Sequence, residues 1–99
     1  MLSREDLQQL AEVGFIAASR GDVESAEAIF AAIELERPNL AVSYIGRAMG
    51  RMGAGLVREA ILELERGLRL ASAEERAEIH LFRGMVFQVA GRASESVRA

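Results

Sequence analysis

The sequence predicts an all-α protein in which antiparallel helix pairs stack as a repeat. Three observations lead to this fold class. Apolar residues recur at spacings of three and four, and no segment alternates cleanly with period two, so strands are not expected. The 99 residues contain a single proline, Pro38. Pairs of glycines also recur at similar intervals along the chain.

Helix start and stop signals divide the chain into six predicted helices. Ser3, Asp22, Asn39 and Ser72 each stand where a short polar side chain commonly accepts a hydrogen bond from the first turn of a helix. The predicted helices lie near residues 4–20, 23–37, 40–52, 56–71, 73–90 and 93 to the end. Because the connections are short, helices adjacent in sequence are expected to pack antiparallel.

The recurring glycines define the repeat. The stretches GFIAASRG (14–21), GRAMGRMG (46–53) and GMVFQVAG (84–91) each begin and end with glycine. We interpret the first glycine of each stretch as a point of close helix–helix approach and the second as a turn. The intervals of 32 and 38 residues between stretches are typical of an α-solenoid built from helix pairs.

At these positions the chain resembles the tetratricopeptide-repeat family. The first repeat carries the family's pattern of glycines, small residues, a large apolar residue and a terminal proline at Gly14, Gly21, Ala26, Phe30 and Pro38. The second and third repeats match less completely, at Gly46, Gly53, Ala60 and Leu64, then at Gly84, Gly91 and Ser96. The resemblance implies a TPR-like α-solenoid of about two and a half repeats. It would form one domain, 1–99, with repeats near 7–38, 39–72 and 77–99, the last incomplete; an ordinary helical bundle is the alternative.

Two alignments of the second repeat are possible. A strict 34-residue step from Ala26 to Ala60 would put Arg47 and Arg51 at core positions, and burying two unpaired guanidinium groups would cost several kcal/mol. Aligning the glycines avoids this cost, so we expect the glycine-aligned register, with the arginines on the concave face. The core side of that helix is then expected to comprise Val42, Ile45, Met49 and Met52.

In tetratricopeptide proteins the first helix of each pair lines the inner groove, which implies a set of candidate partner-binding residues. They are Ala11, Phe15, Ala18, Ser43, Arg47, Arg51, Leu81, Met85 and Gln88. The two arginines lie four residues apart on one helical face, where they could bind a carboxylate. A solvated face with glutamate partners is an equally good interpretation of the arginines, and plain packing is the alternative for Phe15 and Leu81.

Composition gives little support to other classes of function. There is no cysteine, only two aspartates and one histidine, His80, so we expect neither an enzyme nor a metal or other cofactor. The net charge is −3 and both signs are interspersed, which argues against nucleic-acid binding. No apolar run approaches 18 residues, so no membrane insertion is expected and a cytoplasmic location is the default.

The incomplete third repeat predicts an uncovered end. The last predicted helix is too short to cover Ile79, Phe82 and Val86 on the helix before it. We expect this surface to be covered by a second copy or by another protein, giving a homodimer or a heterocomplex. The alternative is that these residues are a fragment of a longer solenoid.

A closer resemblance gives an expected function. The run LAEVGFIAASRGDVESAEAIFAAIELERPN (10–39) is similar to the small tetratricopeptide chaperones and accessory proteins of bacterial type III secretion. This implies a cytoplasmic chaperone or adaptor that holds a helical or extended client segment in its concave groove. The alternatives are a structural, self-assembling scaffold subunit and a longer tetratricopeptide protein with another partner.

Overall fold

Five α-helices make up most of the chain in the computed structural model, which describes the backbone of residues 2–98 and the side chains of residues 2–92. The helices are α1 (Arg4–Ser19), α2 (Val23–Glu36), α3 (Ala41–Gly53), α4 (Val57–Leu70) and α5 (Ala73–Arg98). Residues 2–98 contain no strand, so the predicted all-α class is confirmed.

The first four helices begin and end within one residue of the predicted bounds. The caps predicted at Ser3 and Asp22 are confirmed, whereas the one predicted at Asn39 is wrong, because Leu40 is the residue that precedes α3 and it offers no side-chain hydrogen bond. At the start of α1, Ser3 and Asp6 form a reciprocal capping box with two hydrogen bonds of 3.1 Å. At α2, the Asp22 carboxylate accepts a hydrogen bond of 3.1 Å from the backbone N–H of Ser25. These hydrogen bonds lower the pKa of both aspartates, since they favour the ionised form.

The predicted break at Gly91 is wrong: α5 continues through it to Arg98 as one helix of 26 residues. A single glycine inside a helix costs only about 1 kcal/mol and does not by itself end it. Among the described residues, positive φ angles of 79° occur at Gly21 and Gly55, and those two glycines form the turns. The predicted sixth helix therefore belongs to α5, and the side chain of Ser96 lies outside the described residues.

Helices that are adjacent in sequence contact each other, and α3 also contacts α1 and α5. Helix α3 is central and contacts all four others. The starts of α3 and α5 are joined by a hydrogen bond of 3.0 Å from the backbone N–H of Ser72 to the carbonyl of Asn39. On the opposite side of α3, Glu34 of α2 forms an ion pair with Arg66 of α4. The resulting body measures 51 × 29 × 17 Å.

The first of two core clusters surrounds the fully buried Phe30. Its ring lies between α1 and α3, where both helices present a glycine. A Cβ atom at Gly14 would lie 2.7 Å from the ring, and one at Gly46 would lie closer still, against three ring carbons. Phe15 packs on the same ring edge to face, with the centroids 5.0 Å apart. The prediction that Gly14 marks a close helix approach is therefore confirmed.

The second core cluster surrounds the fully buried Tyr44, and its composition corrects the predicted register. The core residues of α3 are Ala41, Tyr44 and Ala48, which pack with residues of α4 and α5. The residues predicted for that role are half-buried or exposed: Val42, Ile45, Met49 and Met52.

The turn glycines and the buried alanines of the first two helix pairs instead follow the 34-residue step. Gly55 occupies the turn position of Gly21, with the same φ of 79°, whereas Gly53 is still within α3. Ala60 is buried at the place corresponding to Ala26. Arg47 and Arg51 consequently face inward between α2 and α4, which is the arrangement that the predicted register was chosen to avoid.

Candidate functional site

The inward-facing arginines belong to an ion-pair network at the junction of α2, α3 and α4. The arginine–glutamate network consists of three arginines and three glutamates, namely Arg47, Arg51, Arg66, Glu27, Glu34 and Glu63. Arg47 is 10% exposed and pairs with all three glutamates. Arg51 donates hydrogen bonds to Glu63 at 3.1 Å and to Glu27 at 3.0 Å. The charges of the network therefore balance.

Helix periodicity brings these side chains together. Glu27 and Glu34 are seven residues apart on α2, and Arg47 and Arg51 are four apart on α3, so each pair lies on one face of its helix. Arg66 donates to Glu34 at 2.5 Å and to Glu63 at 2.9 Å, which closes the network from α4. The hydrogen bond from Arg66 lowers the pKa of Glu34, and the same contact raises the pKa of Arg66.

The arginine pair is thus placed differently from the predicted concave face. Its guanidinium groups are already bound to carboxylates of the same chain, so an acidic ligand would have to displace those carboxylates. The cost that argued against the 34-residue register applies to unpaired guanidinium groups, whereas these are paired. The alternative interpretation of the arginines, glutamate partners, is therefore confirmed as to the pairing, but Arg47 is nearly buried rather than on a solvated face.

Other predicted groove residues are placed inside the domain. Ala11, Ala18 and Ser43 are buried, and Ser43 Oγ has no hydrogen-bond partner among the described residues. Phe15 is half-buried against Phe30. Ala11, Ala18 and Phe15 belong to the first core cluster or pack against it, so the predicted groove is not a continuous open surface made of these residues.

On α5 the two predicted surfaces have different environments. Leu81, Met85 and Gln88, predicted to bind a partner, are exposed. The residues predicted to form an uncovered end are not exposed there: Ile79 and Val86 are buried, and Phe82 is half-buried against the second core cluster. That prediction is corrected, because this face is the one by which α5 packs onto α3 and α4.

An open cleft lies where the starts of α1, α3 and α5 meet. Its volume is about 550 Å³, within the range of about 300–1,000 Å³ that is typical of ligand sites. The cleft is lined by Arg4, Leu7, Gln8, Ala11, Arg37, Leu40, Val42 and Glu75. We call this feature the helix-start cleft. Of its lining, only Ala11 belongs to the predicted partner-binding set.

The charged groups of the helix-start cleft are not equivalent. Glu75 Oε1 accepts a hydrogen bond of 2.8 Å from the backbone N–H of Ala41, so this carboxylate caps α3 from another helix. Arg4 and Arg37 are exposed, and neither forms an ion pair within residues 2–92. The cleft is therefore apolar at its base and carries positive charge that is available to a ligand.

Sequence reasoning missed this cleft because its residues belong to helix ends. Arg4 begins α1, Arg37 ends α2, and Leu40 precedes α3, so helical periodicity within one element does not group them. The one signal available was the clustering of three helix starts that a parallel layer of helices produces.

In the part of the chain that the structure describes, no cluster of three or more His, Cys, Asp or Glu side chains is placed to hold a metal ion. His80 is exposed on α5. None of the described helices combines the length and apolar character needed to cross a membrane.

Comparison with known proteins does not assign this chain to a family. No family model, no curated protein and no solved structure matches this chain.

Proposed function

We propose that this chain is a protein-binding module, arranged as a TPR-like solenoid, that holds a helical or extended client segment in the helix-start cleft. The observation that carries the proposal is that some arginines of the chain are bound to glutamates while two others face an open cleft. Arg47, Arg51 and Arg66 are bound to glutamates of the chain, whereas Arg4 and Arg37 face an open cleft and form no ion pair within residues 2–92.

The chemistry of the cleft indicates the kind of client segment. Leu40 and Val42 offer partly buried apolar surface, and the guanidinium groups beside them favour a carboxylate with bidentate geometry. A segment with apolar side chains flanked by Asp or Glu fits this combination. Glu75 does not oppose such a segment strongly, since its carboxylate is bound to the start of α3.

The contacts of α3 with α1 and α5 and the 34-residue spacing of the turn glycines support the solenoid part of the proposal. In a solenoid of helix pairs, the first helix of each pair stacks on the first helix of the next pair. The more specific role, chaperone or adaptor of a bacterial type III secretion component, rests on the similarity of residues 10–39 alone. A cytoplasmic location belongs to the same proposal.

Site-specific photo-crosslinking in extracts of the source organism tests the module. A photoreactive residue is placed at Gln8 or Leu40, which both line the helix-start cleft, or at the control sites Glu24 and Arg58, which are exposed on α2 and α4 and do not line it. We expect the same discrete adduct from the first two positions and none from the controls. Equal labelling at all four positions, or none, contradicts the proposal.

Charge reversal then tests the cleft with the identified client. Arg37→Glu is expected to weaken the client complex at least about tenfold, since it replaces a charge-assisted contact by repulsion. Arg58→Glu is the matched control, being an exposed arginine outside the cleft, and should change the dissociation constant by less than about twofold. An adduct that contains no export substrate or secretion component would contradict the type III secretion role while leaving the module intact.

Self-assembly is a second candidate function, favoured by a different observation. Helix α5 leaves large apolar side chains in solvent even though its opposite face is packed in the core.

A further inference from the structure

The exposed apolar side chains of α5 form one stripe. Leu81, Met85 and Val89 are 69%, 50% and 53% exposed, and they follow one another at intervals of four residues. Glu78 and Arg92 lie on the same face, at the two ends of the stripe, and both are exposed. At about 100° per residue the five positions fall within about 80° of arc. We call them the α5 stripe.

The rest of α5 fixes the stripe in place. Ile79 and Val86, centred roughly 110° around the helix from the stripe, are buried in the second core cluster. Arg83 pairs with Glu65 of α4 at 3.3 Å, and its guanidinium lies 4.9 Å from the ring centroid of Phe87. The stripe is therefore presented on an anchored helix rather than on a detached segment.

The order of residues in the stripe is symmetric about Met85. Leu81 precedes it by four residues and Val89 follows by four; Glu78 precedes it by seven and Arg92 follows by seven. The spacings of three and four residues between successive members are those of a coiled-coil seam. Apolar residues thus occupy symmetric inner positions, and opposite charges occupy symmetric outer positions.

We propose that the α5 stripe pairs antiparallel with the α5 stripe of a second copy of this chain, with Met85 on the two-fold axis. In that arrangement Leu81 lies opposite the partner subunit's Val89, and Glu78 lies opposite the partner subunit's Arg92. The contact of Leu81 with the partner subunit's Val89 and the ion pair of Glu78 with the partner subunit's Arg92 each occur twice, as an isologous interface requires. A parallel pairing would instead oppose glutamate to glutamate and arginine to arginine, so the charges select the antiparallel form.

This pairing is independent of the client proposal, because it uses a different helix face from the helix-start cleft. The competing occupants of the stripe are a client helix and the exposed α1 face of another copy, which carries Val13 and Ile16. A contact between α5 and α1 would be heterologous and would continue into open-ended oligomers. The pattern of charges favours the closed dimer over both.

Sedimentation velocity of the full chain between about 1 and 100 μM tests the pairing, a range in which interfaces of modest size dissociate. We expect a monomer–dimer equilibrium that Met85→Glu shifts to monomer. Leu35→Glu, an exposed leucine on α2, is the matched control and should leave the equilibrium unchanged. Circular dichroism of each variant should show unchanged helix content, since every substituted side chain is exposed.

Charge swapping distinguishes the antiparallel α5 dimer from dimers that use another surface or orientation. Glu78→Arg and Arg92→Glu, each alone, should weaken dimerisation about tenfold, because each opposes like charges at both ends of the interface. The double variant restores opposite charges and should recover the dissociation constant to within about threefold. A monomer up to 100 μM, oligomers that grow beyond a dimer, or a double variant no better than the single ones would each overturn the proposal. Because client crosslinking from Gln8 is measured separately, failure of the dimer leaves that result standing.

Discussion

The Gly46→Ala substitution is the sharpest test of how tightly the helix pairs pack. Three carbons of the Phe30 ring lie where the added Cβ would stand, far inside the ordinary contact range of 3.4–4 Å. The ring would have to move by about 1 Å or more to restore normal contact. It has no room to do so, because Gly14 approaches the same ring from α1 and a Cβ there would lie only 2.7 Å away.

Two opposing effects determine how much Gly46→Ala changes the free energy of unfolding. Replacing a helical glycine by alanine gains about 1 kcal/mol in helix propensity. Overpacking a closed core position costs about 1–3 kcal/mol, and the confined ring puts Gly46→Ala at the upper end. We expect a net loss of about 2 kcal/mol, which lowers the Tm of a domain of this size by roughly 8–16 °C.

Gly84→Ala is the matched control for Gly46→Ala. Gly84 is also helical, but a Cβ there would meet no atom within 4 Å, so only the propensity gain remains. Thermal and urea unfolding should show a gain of about 0.5–1 kcal/mol for this variant. In a Phe30→Leu background, the cost of Gly46→Ala should fall by at least about 1 kcal/mol. A Gly46→Ala protein as stable as the wild type would refute the close approach.

Three further predictions concern the charged and polar interior. Arg47→Met should lower the free energy of unfolding by about 3 kcal/mol, because the three glutamates would then share two arginines and one partly buried negative charge would be uncompensated, whereas the exposed Arg58→Met should change it by less than about 0.5 kcal/mol in urea titrations. The lowered pKa of Glu34 adds stability above its unfolded pKa that is lost as pH falls through the folded value; the difference in urea midpoint between wild type and Glu34→Gln should therefore shrink below about pH 4. Burial raises the pKa of Tyr44, the chain's one tyrosine, so tyrosinate absorbance should appear at higher pH in the folded protein than in urea, and stability should fall as pH rises through that value.

Much of the fold could be predicted because it depends on local signals, such as helix caps and turn residues. Ser3 and Asp22 begin helices because their side chains accept the first free N–H groups, a requirement that depends on few other residues. Gly21 forms a turn because glycine readily adopts the positive φ that this turn requires. The long α5 was missed for a related reason: Gly91 looks like Gly21 in the sequence, but whether a glycine ends a helix depends on the residues after it and on the elements that pack beside it.

The site was less predictable than the fold because it depends on which helix faces meet. Arg47 was assigned to the surface on the assumption that its charge would otherwise be unpaired, and its glutamate partners come from two other helices. The same limit applies to the helix-start cleft, whose Arg4 and Arg37 are 33 residues apart in sequence. Local patterns identify each side chain, and only tertiary packing decides whether it faces a partner within the chain or solvent.

The carboxylate of Glu75 at the start of α3 has a consequence for the order in which the chain folds. Leu40 precedes α3 without offering a side-chain hydrogen bond, and the missing acceptor comes from a residue that is synthesised 34 positions after Ala41. In a nascent chain that ends after α4, the first four helices can form. The N–H group of Ala41 at the start of α3 then still lacks the Glu75 carboxylate as its acceptor. A cap of this kind contributes about 1 kcal/mol to helix stability. Packing of α5 therefore stabilises α3, a helix that is synthesised before it. The start of α3 is therefore fully capped only after α5 has packed beside it.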